Sequence, residues 1–272
     1  MAQQKTITLN SNSGLAEIAE SYVPALVAGD GGKLAELIGP LGKIEEYKFG
    51  RIEGAESAAE LPAGFHQWMR DTGWAIEKSV HLRTTDAGSR VISEDIIFAE
   101  SPSGDKIEWP IATVACEIPN SDSTELFVYY TIWPIIKKHT KRPVIFEQPQ
   151  LDTVPSPVLQ AYHECLTTGN LDGLHDLMPA DVYIRESSGP PYSHLGITNV
   201  INYFGGLFKD GAPLMRSERI TSDGRCTFLE FTVVGWNGKK WPESDHQAGA
   251  GIWELNADGL LSAVRVYDDI EF

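Results

Sequence analysis

Ser21-Tyr22-Val23-Pro24-Ala25-Leu26-Val27-Ala28-Gly29-Asp30 and Tyr162-His163-Glu164-Cys165-Leu166-Thr167-Thr168-Gly169-Asn170 are two versions of one segment. Tyr22, Leu26, Gly29, Leu34, Leu37 and Glu46 recur as Tyr162, Leu166, Gly169, Leu174, Leu177 and Glu186, each at an offset of 140. Further on, Arg83, Thr85, Gly88 and Glu94 recur as Arg219, Thr221, Gly224 and Glu230 at an offset of 136. Four extra residues in the first copy, between Glu46 and Arg83, account for the change. Constant offsets over this length mark an internal duplication. The 272 residues therefore divide into a first domain at 1–136, a Pro-rich linker at 137–157 and a second domain at 158–272.

Each copy reads alike from its local pattern. Apolar residues at helical spacing over 15–26 and 158–166 stop at Gly29-Asp30 and Gly169-Asn170, and a second short helix follows at 33–38 and 171–178. A strand is expected at 44–49 and 182–186, then a third helix at 65–69 and 199–208. The remainder is strand-rich, at 90–99, 108–118 and 125–135 in the first copy and 226–236, 247–255 and 260–267 in the second. Turn residues at Ser103-Gly104, Asn237-Gly238 and Asp258-Gly259 separate these strands. The class is α+β. Two tandem cone-shaped domains are expected, each a curved antiparallel sheet wrapped around three helices with an internal cavity. Residues 50–64 and 205–213 are expected as loops that set the size of that cavity.

The quoted segments, with Glu46 ending the first strand and Glu186-Ser187-Ser188-Gly189 in the second copy, resemble the nuclear transport factor 2-like superfamily. The ketosteroid isomerase and SnoaL-like polyketide cyclase branches are the most similar, and the tandem layout resembles the epoxide hydrolases of polyether biosynthesis. In ketosteroid isomerases a helical Tyr donates to the oxyanion and a strand carboxylate moves the proton. By position this resemblance implies the oxyanion role for Tyr22 and Tyr162 and the proton-transfer role for Glu46 and Glu186. Asp268 resembles the last-strand acid of the cyclases, with Trp133 in its place in the first copy. Glu77 lies near a second carboxylate of the epoxide hydrolases. No residue near Val114 or Gly251 matches the isomerases' second oxyanion donor.

The pairing also makes chemical sense by itself. A Glu in an apolar cavity has its ionised form desolvated, which raises its pKa toward neutrality, and a Tyr hydroxyl opposite polarises a carbonyl or epoxide oxygen. The alternative is a core Tyr with a satisfied hydroxyl and a solvent-facing Glu at a strand end. Period-two alternation puts Glu94 on one face with Ile92 and Ile96, and Glu230 with Phe228 and Thr232, so both are expected in the pocket wall. His246 beside Asp245 is read either as a polar pocket group or as part of a surface loop.

Composition narrows the function classes. Lys plus Arg is 22 against 38 for Asp plus Glu, and a formal charge of −16 repels phosphate backbones, so nucleic acid is not an expected partner. Residues 1–10 are polar and 126–136 fall short of a bilayer span, so neither a signal peptide nor a membrane anchor is expected. Cys116, Cys165 and Cys226 lack paired spacing, and His66, His81, His163, His194 and His246 lack metal-ligand spacing; buried thiols in the cytoplasm and no metal are expected. No phosphate loop or nucleophile elbow is present. The basic run Lys137, Lys138, Lys141 and Arg142 is read as a linker crossing the protein's own acidic surface, with an anionic partner as the alternative. The expected function is cofactor-independent isomerisation or cyclisation of a hydrophobic small molecule, with epoxide opening and ligand binding without chemistry as alternatives. The expected assembly is a monomer with an internal pseudo-dimer, or a homodimer.

Overall fold

Helix ends in both halves are set by the same local chemistry. Gly29 and Gly169 adopt left-handed φ values of 75° and 68°, which an L side chain rarely tolerates. The next residues then cap a second helix: Asp30 accepts from the Lys33 amide at 2.9 Å and Asn170 from the Gly173 amide at 3.0 Å. The computed structural model describes residues 12–146, 155–187, 192–209 and 211–267.

The first half runs α1 (Asn12–Ala28), α2 (Gly31–Ile38), β1 (Lys43–Glu46), β2 (Gly50–Glu53), α3 (Gly54–Asp71), β3 (Ala75–Asp86), β4 (Arg90–Glu100), β5 (Lys106–Glu117), β6 (Thr124–Tyr129) and α4 (Trp133–Ile136). The second runs α5 (Pro157–Thr168), α6 (Leu171–Asp176), β7 (Tyr183–Arg185), β8 (Ser193–Leu195), α7 (Ile197–Leu207), β9 (Pro213–Ser222), β10 (Cys226–Trp236), β11 (Lys239–Lys240), β12 (Gln247–Leu255) and β13 (Leu261–Val266). Strand order is β2-β1-β6-β5-β4-β3 in one sheet and β8-β7-β13-β12-β10-β9 in the other, with β11 added beside β10. The fold is α+β, and the two halves share one topology. Both sheets are mixed rather than antiparallel throughout, because β1 runs parallel to β6 and β7 parallel to β13.

Several elements differ from expectation. Residues 50–64 form β2 and the first half of α3 instead of a loop. The strand expected to reach residue 135 ends at Tyr129, and Pro134, which has no amide hydrogen to donate to a ladder, sits in the first turn of α4. β3 carries three basic and two acidic side chains in twelve residues, which hides its strand character; it lies at the sheet edge, where charge is tolerated.

Each sheet buries both faces. On β4, Val91, Ile97 and Ala99 pack with α1 to α3 in one core, while Ile92 turns the other way. On that second face Ala112, Val114, Phe127 and Tyr129 meet Phe228, Ala250, Ile252 and Tyr267 of the other half. The sheets pack against each other across a third core, and Cys116, Cys165 and Cys226 are buried free thiols. Residues 137–146 cross this junction: Lys141 pairs with Asp245 at 3.0 Å and the Arg142 guanidinium lies 4.3 Å from the Tyr129 ring centre. No helix among the described residues is long and apolar enough to cross a membrane.

Candidate functional site

The duplicated Tyr and Glu have come to rest in different surroundings. Glu46 closes β1 at 5% exposure; the Tyr130 hydroxyl donates to one carboxylate oxygen and the Phe49 amide to the other at 2.6 Å. Burial raises its pKa, while these two donors and Arg142 pull it back. The Tyr22 hydroxyl is buried and has no partner; burial and then the Glu46 charge push its pKa up. Aromatic rings fill the space around them. Trp109 meets Tyr130 edge-on at 4.9 Å and Phe65 face-to-face at 6.0 Å, and its indole N–H is spent on the Thr131 carbonyl at 2.7 Å. Glu46 is therefore buried, with a donor on each carboxylate oxygen.

In the second half Glu186 follows β7, and its amide donates to the Tyr192 carbonyl at 3.2 Å. It is half-buried, hydrogen-bonded to the Tyr203 side chain on α7, and burial pushes its pKa up to about 7. Tyr162 on α5 is buried nearby; burial first and the Glu186 charge second raise its pKa. His194 on β8 stacks on Tyr203 at 4.2 Å, and Trp253 on β12 packs edge-on against Tyr162 at 6.0 Å. His163, next in the helix, has a buried Nε2 without a partner and a pKa pushed down to about 4 by burial, so its ring is neutral. Glu186, with its pKa raised by burial, thus lies close to the Tyr162 and Tyr203 phenols.

Sheet register explains the divergence. Ile97 pairs with Trp109, and Val233, its counterpart at the offset of 136, pairs with Gln247. A buried Gln thus stands where the first half has its central Trp. α7, at 11 residues, is also shorter than α3, at 18, and supplies less apolar cover.

No protein-family model matches this chain, and no curated protein does. Among solved structures it is similar to an NTF-2 like protein of unknown function from Burkholderia xenovorans, at 21% identity over 42% of this chain and 82% of that one, with a TM-score of 0.34. An LEH-like epoxide hydrolase from M. tuberculosis is similar at 17% identity, over 41% and 76% of the two chains, with a TM-score of 0.34. A putative ketosteroid isomerase from Kribbella flavida is similar at 15% identity, over 42% and 77%, with a TM-score of 0.33. Each of these structures is similar to about two fifths of this chain.

Within the two halves the other candidates lie elsewhere. Glu94 and Glu230 do not line a pocket beneath the helices; they sit on the face between the sheets. Arg265 grips Glu94 through two bonds of 2.6 and 2.8 Å, and the Tyr267 hydroxyl adds a third at 2.6 Å. Reciprocally, Arg90 and the Tyr129 hydroxyl, the latter at 2.5 Å, hold Glu230. Period-two alternation had put both residues on an apolar face, and here both faces are apolar, so the pattern alone does not tell cavity from junction. Trp133 belongs to α4 and not to the last strand. Ala112 pairs with Tyr129 as Ala250 accepts from the Tyr267 amide, so Tyr130 is the first-copy counterpart of Asp268. Asp268 itself lies outside the described residues. Glu77 is 40% exposed beside Lys106 at 3.7 Å and shares with Trp133 a groove whose lining does not include Glu46. His246 contacts the Trp241 carbonyl at 3.2 Å and lines a separate groove with Thr167, Met215 and Trp241.

Sequence reading missed Tyr130, Tyr203 and Gln247, since none is carried by the repeat. It also missed Asp95, fully buried on β4, which accepts from the Ser93 hydroxyl at 2.7 Å, lies 3.4 Å from His81, and is pushed up to about 6 by burial. No group of His, Cys, Asp and Glu suited to holding a metal occurs among the described residues.

Proposed function

We propose that the second half is a proton-transfer site for a hydrophobic small molecule and that the first half has become a structural copy. The observation that supports this reading is the contrast between the two glutamates: Glu46 is clamped by Tyr130 and Phe49 under an aromatic layer, whereas Glu186 is half-buried and, among the described residues, has the Tyr203 side chain as its donor. A carboxyl with a pKa near 7 has about equal populations of base and acid at neutrality, which suits a group that both takes and returns a proton. In a β,γ-unsaturated ketone, ionised Glu186 removes a proton from the carbon α to the carbonyl, and the electron pair moves on to the oxygen. The Tyr162 hydroxyl donates a hydrogen bond to that oxygen as its charge develops. Protonated Glu186 then delivers its proton to the γ carbon, and the carbonyl re-forms.

The presence of two phenols, Tyr162 and Tyr203, at one carboxylate favours a second reading, epoxide opening, in which Glu186 activates water and a phenol protonates the departing oxygen. Panels of β,γ-unsaturated ketones and of epoxides separate the two readings. In either case Glu186→Gln lowers kcat by about 10²–10⁴-fold, while Glu46→Gln leaves it within about threefold. For isomerisation kcat/KM rises with pH through about 7 and levels off, because the ionised form is the base. Equal losses in both variants contradict the assignment of the second half, and no turnover of either panel with a ligand-raised melting temperature leaves ligand binding alone.

A further inference from the structure

Trp133 and Glu77 share a groove of about 550 Å³ whose lining includes neither Glu46 nor Glu186. That volume falls within the roughly 300–1,000 Å³ typical of small-molecule sites. The first half supplies Phe98 and Trp133 as ring surface, and the second half supplies Tyr192, which meets Trp133 edge-on at 5.1 Å and remains 40% exposed. Three lysines reach into it: Lys137 lies 4.6 Å from the Trp133 ring centre, Lys78 lies 5.0 Å from the Phe98 ring centre, and Lys106 is paired with Glu77 and Glu100. Among the described residues Lys78 and Lys137 have rings and no carboxylate for partners. With Glu100 counted beside Lys106, three lysines face three glutamates, Glu77, Glu100 and Glu108, so positive charge is confined to the end of the groove that holds Lys78 and Lys137.

Lys137 is placed there by its backbone. It takes a left-handed φ of 56°, uncommon outside Gly and Asn, and its amide closes α4 on to the Trp133 carbonyl at 2.8 Å. The turn folds the ammonium back over the ring.

We infer that this groove is a binding site for a planar aromatic anion, whose rings lie against Phe98 and Tyr192 and whose charge meets Lys78 and Lys137. Aromatic walls supply the contact area and unpaired ammonium groups fix the charged end. Because Tyr192 comes from the other half, occupation bridges the junction between the sheets and stabilises their docking. The inference does not depend on Glu186 being a base.

Titrating the full chain with 1-anilinonaphthalene-8-sulfonate at low salt tests it, with N-phenyl-1-naphthylamine as the uncharged analogue. The sulfonate binds saturably at one site per chain. The double variant Lys78→Gln/Lys137→Gln weakens it about tenfold, from a factor of roughly two to five for each exposed charge contact, and leaves the uncharged dye unchanged. Trp133→Ala, checked for folding by circular dichroism, weakens both dyes. A sulfonate Kd within twofold of the parent's in the double variant overturns the inference, as does the absence of saturable binding.

Discussion

Replacing Glu186 by Gln turns the environment of this carboxyl into a stability measurement that needs no substrate. The side chain titrates at about 7 in the folded protein, against an ordinary value of 4.5. A difference of about 2.5 corresponds to about 3.4 kcal/mol, which solvent screening of a half-buried group reduces to about 2–3 kcal/mol. Between pH 4.5 and 7 the folded state holds more of this proton than the unfolded state does, so stability falls as pH rises through that window. Above pH 7 both states are ionised and the cost is constant. Gln is never ionised and escapes the cost. Urea unfolding of the parent and Glu186→Gln across pH 4–9 therefore gives nearly equal stabilities at the acid end and a variant more stable by about 2–3 kcal/mol at pH 8 and above. Other groups such as Asp95, which titrates near 6, affect both proteins alike and cancel in the difference. A difference that stays constant with pH within about 0.5 kcal/mol refutes the reasoning, because the carboxyl is then as well solvated folded as unfolded.

Three other outcomes follow from the same structure. Tyr130→Phe strips buried Glu46 of its hydroxyl partner and costs about 1–3 kcal/mol in urea unfolding at pH 7, as expected when a buried polar group loses its partner. Arg265→Met removes both guanidinium bonds from buried Glu94 and leaves it, among the described residues, the Tyr267 hydroxyl, a loss of about 3–5 kcal/mol in urea unfolding. Gly251→Ala puts a methyl group 2.7 Å from Cη2 of Trp253, costing about 1–3 kcal/mol and shifting the emission of that tryptophan, while Gly206→Ala, with open space around it, produces no such contact.

The duplication was legible because offsets of 140 and 136 persist across helix, cap and strand, and the two strand orders repeat that symmetry. Caps at Asp30 and Asn170 were readable for the same reason, being short-range chemistry. The Tyr22/Glu46 and Tyr162/Glu186 pairs also came from the repeat, but not the difference between them. That difference lies in cross-strand partners: Trp109 and Gln247 correspond only through their pairing with Ile97 and Val233. The direction of Glu94 and Glu230 was hidden because both faces of β4 and β10 are apolar, so period two carried no information on which face meets the other sheet. β3 and β9 escaped notice because charged side chains interrupt their patterns: on β3 most of them face water, while on β9 Glu218 is buried and accepts from Arg216 and Thr232.

The claim that the second half holds the working carboxyl and the first a sealed one is tested most directly by carbon-13 NMR of protein labelled at the glutamate carboxyl carbons. A signal titrating near pH 7 is predicted to disappear in Glu186→Gln and to persist in Glu46→Gln. A titration near neutrality that vanishes in Glu46→Gln instead, or the absence of any glutamate signal titrating above about pH 6 where ordinary carboxyls lie near 4.3, contradicts the account.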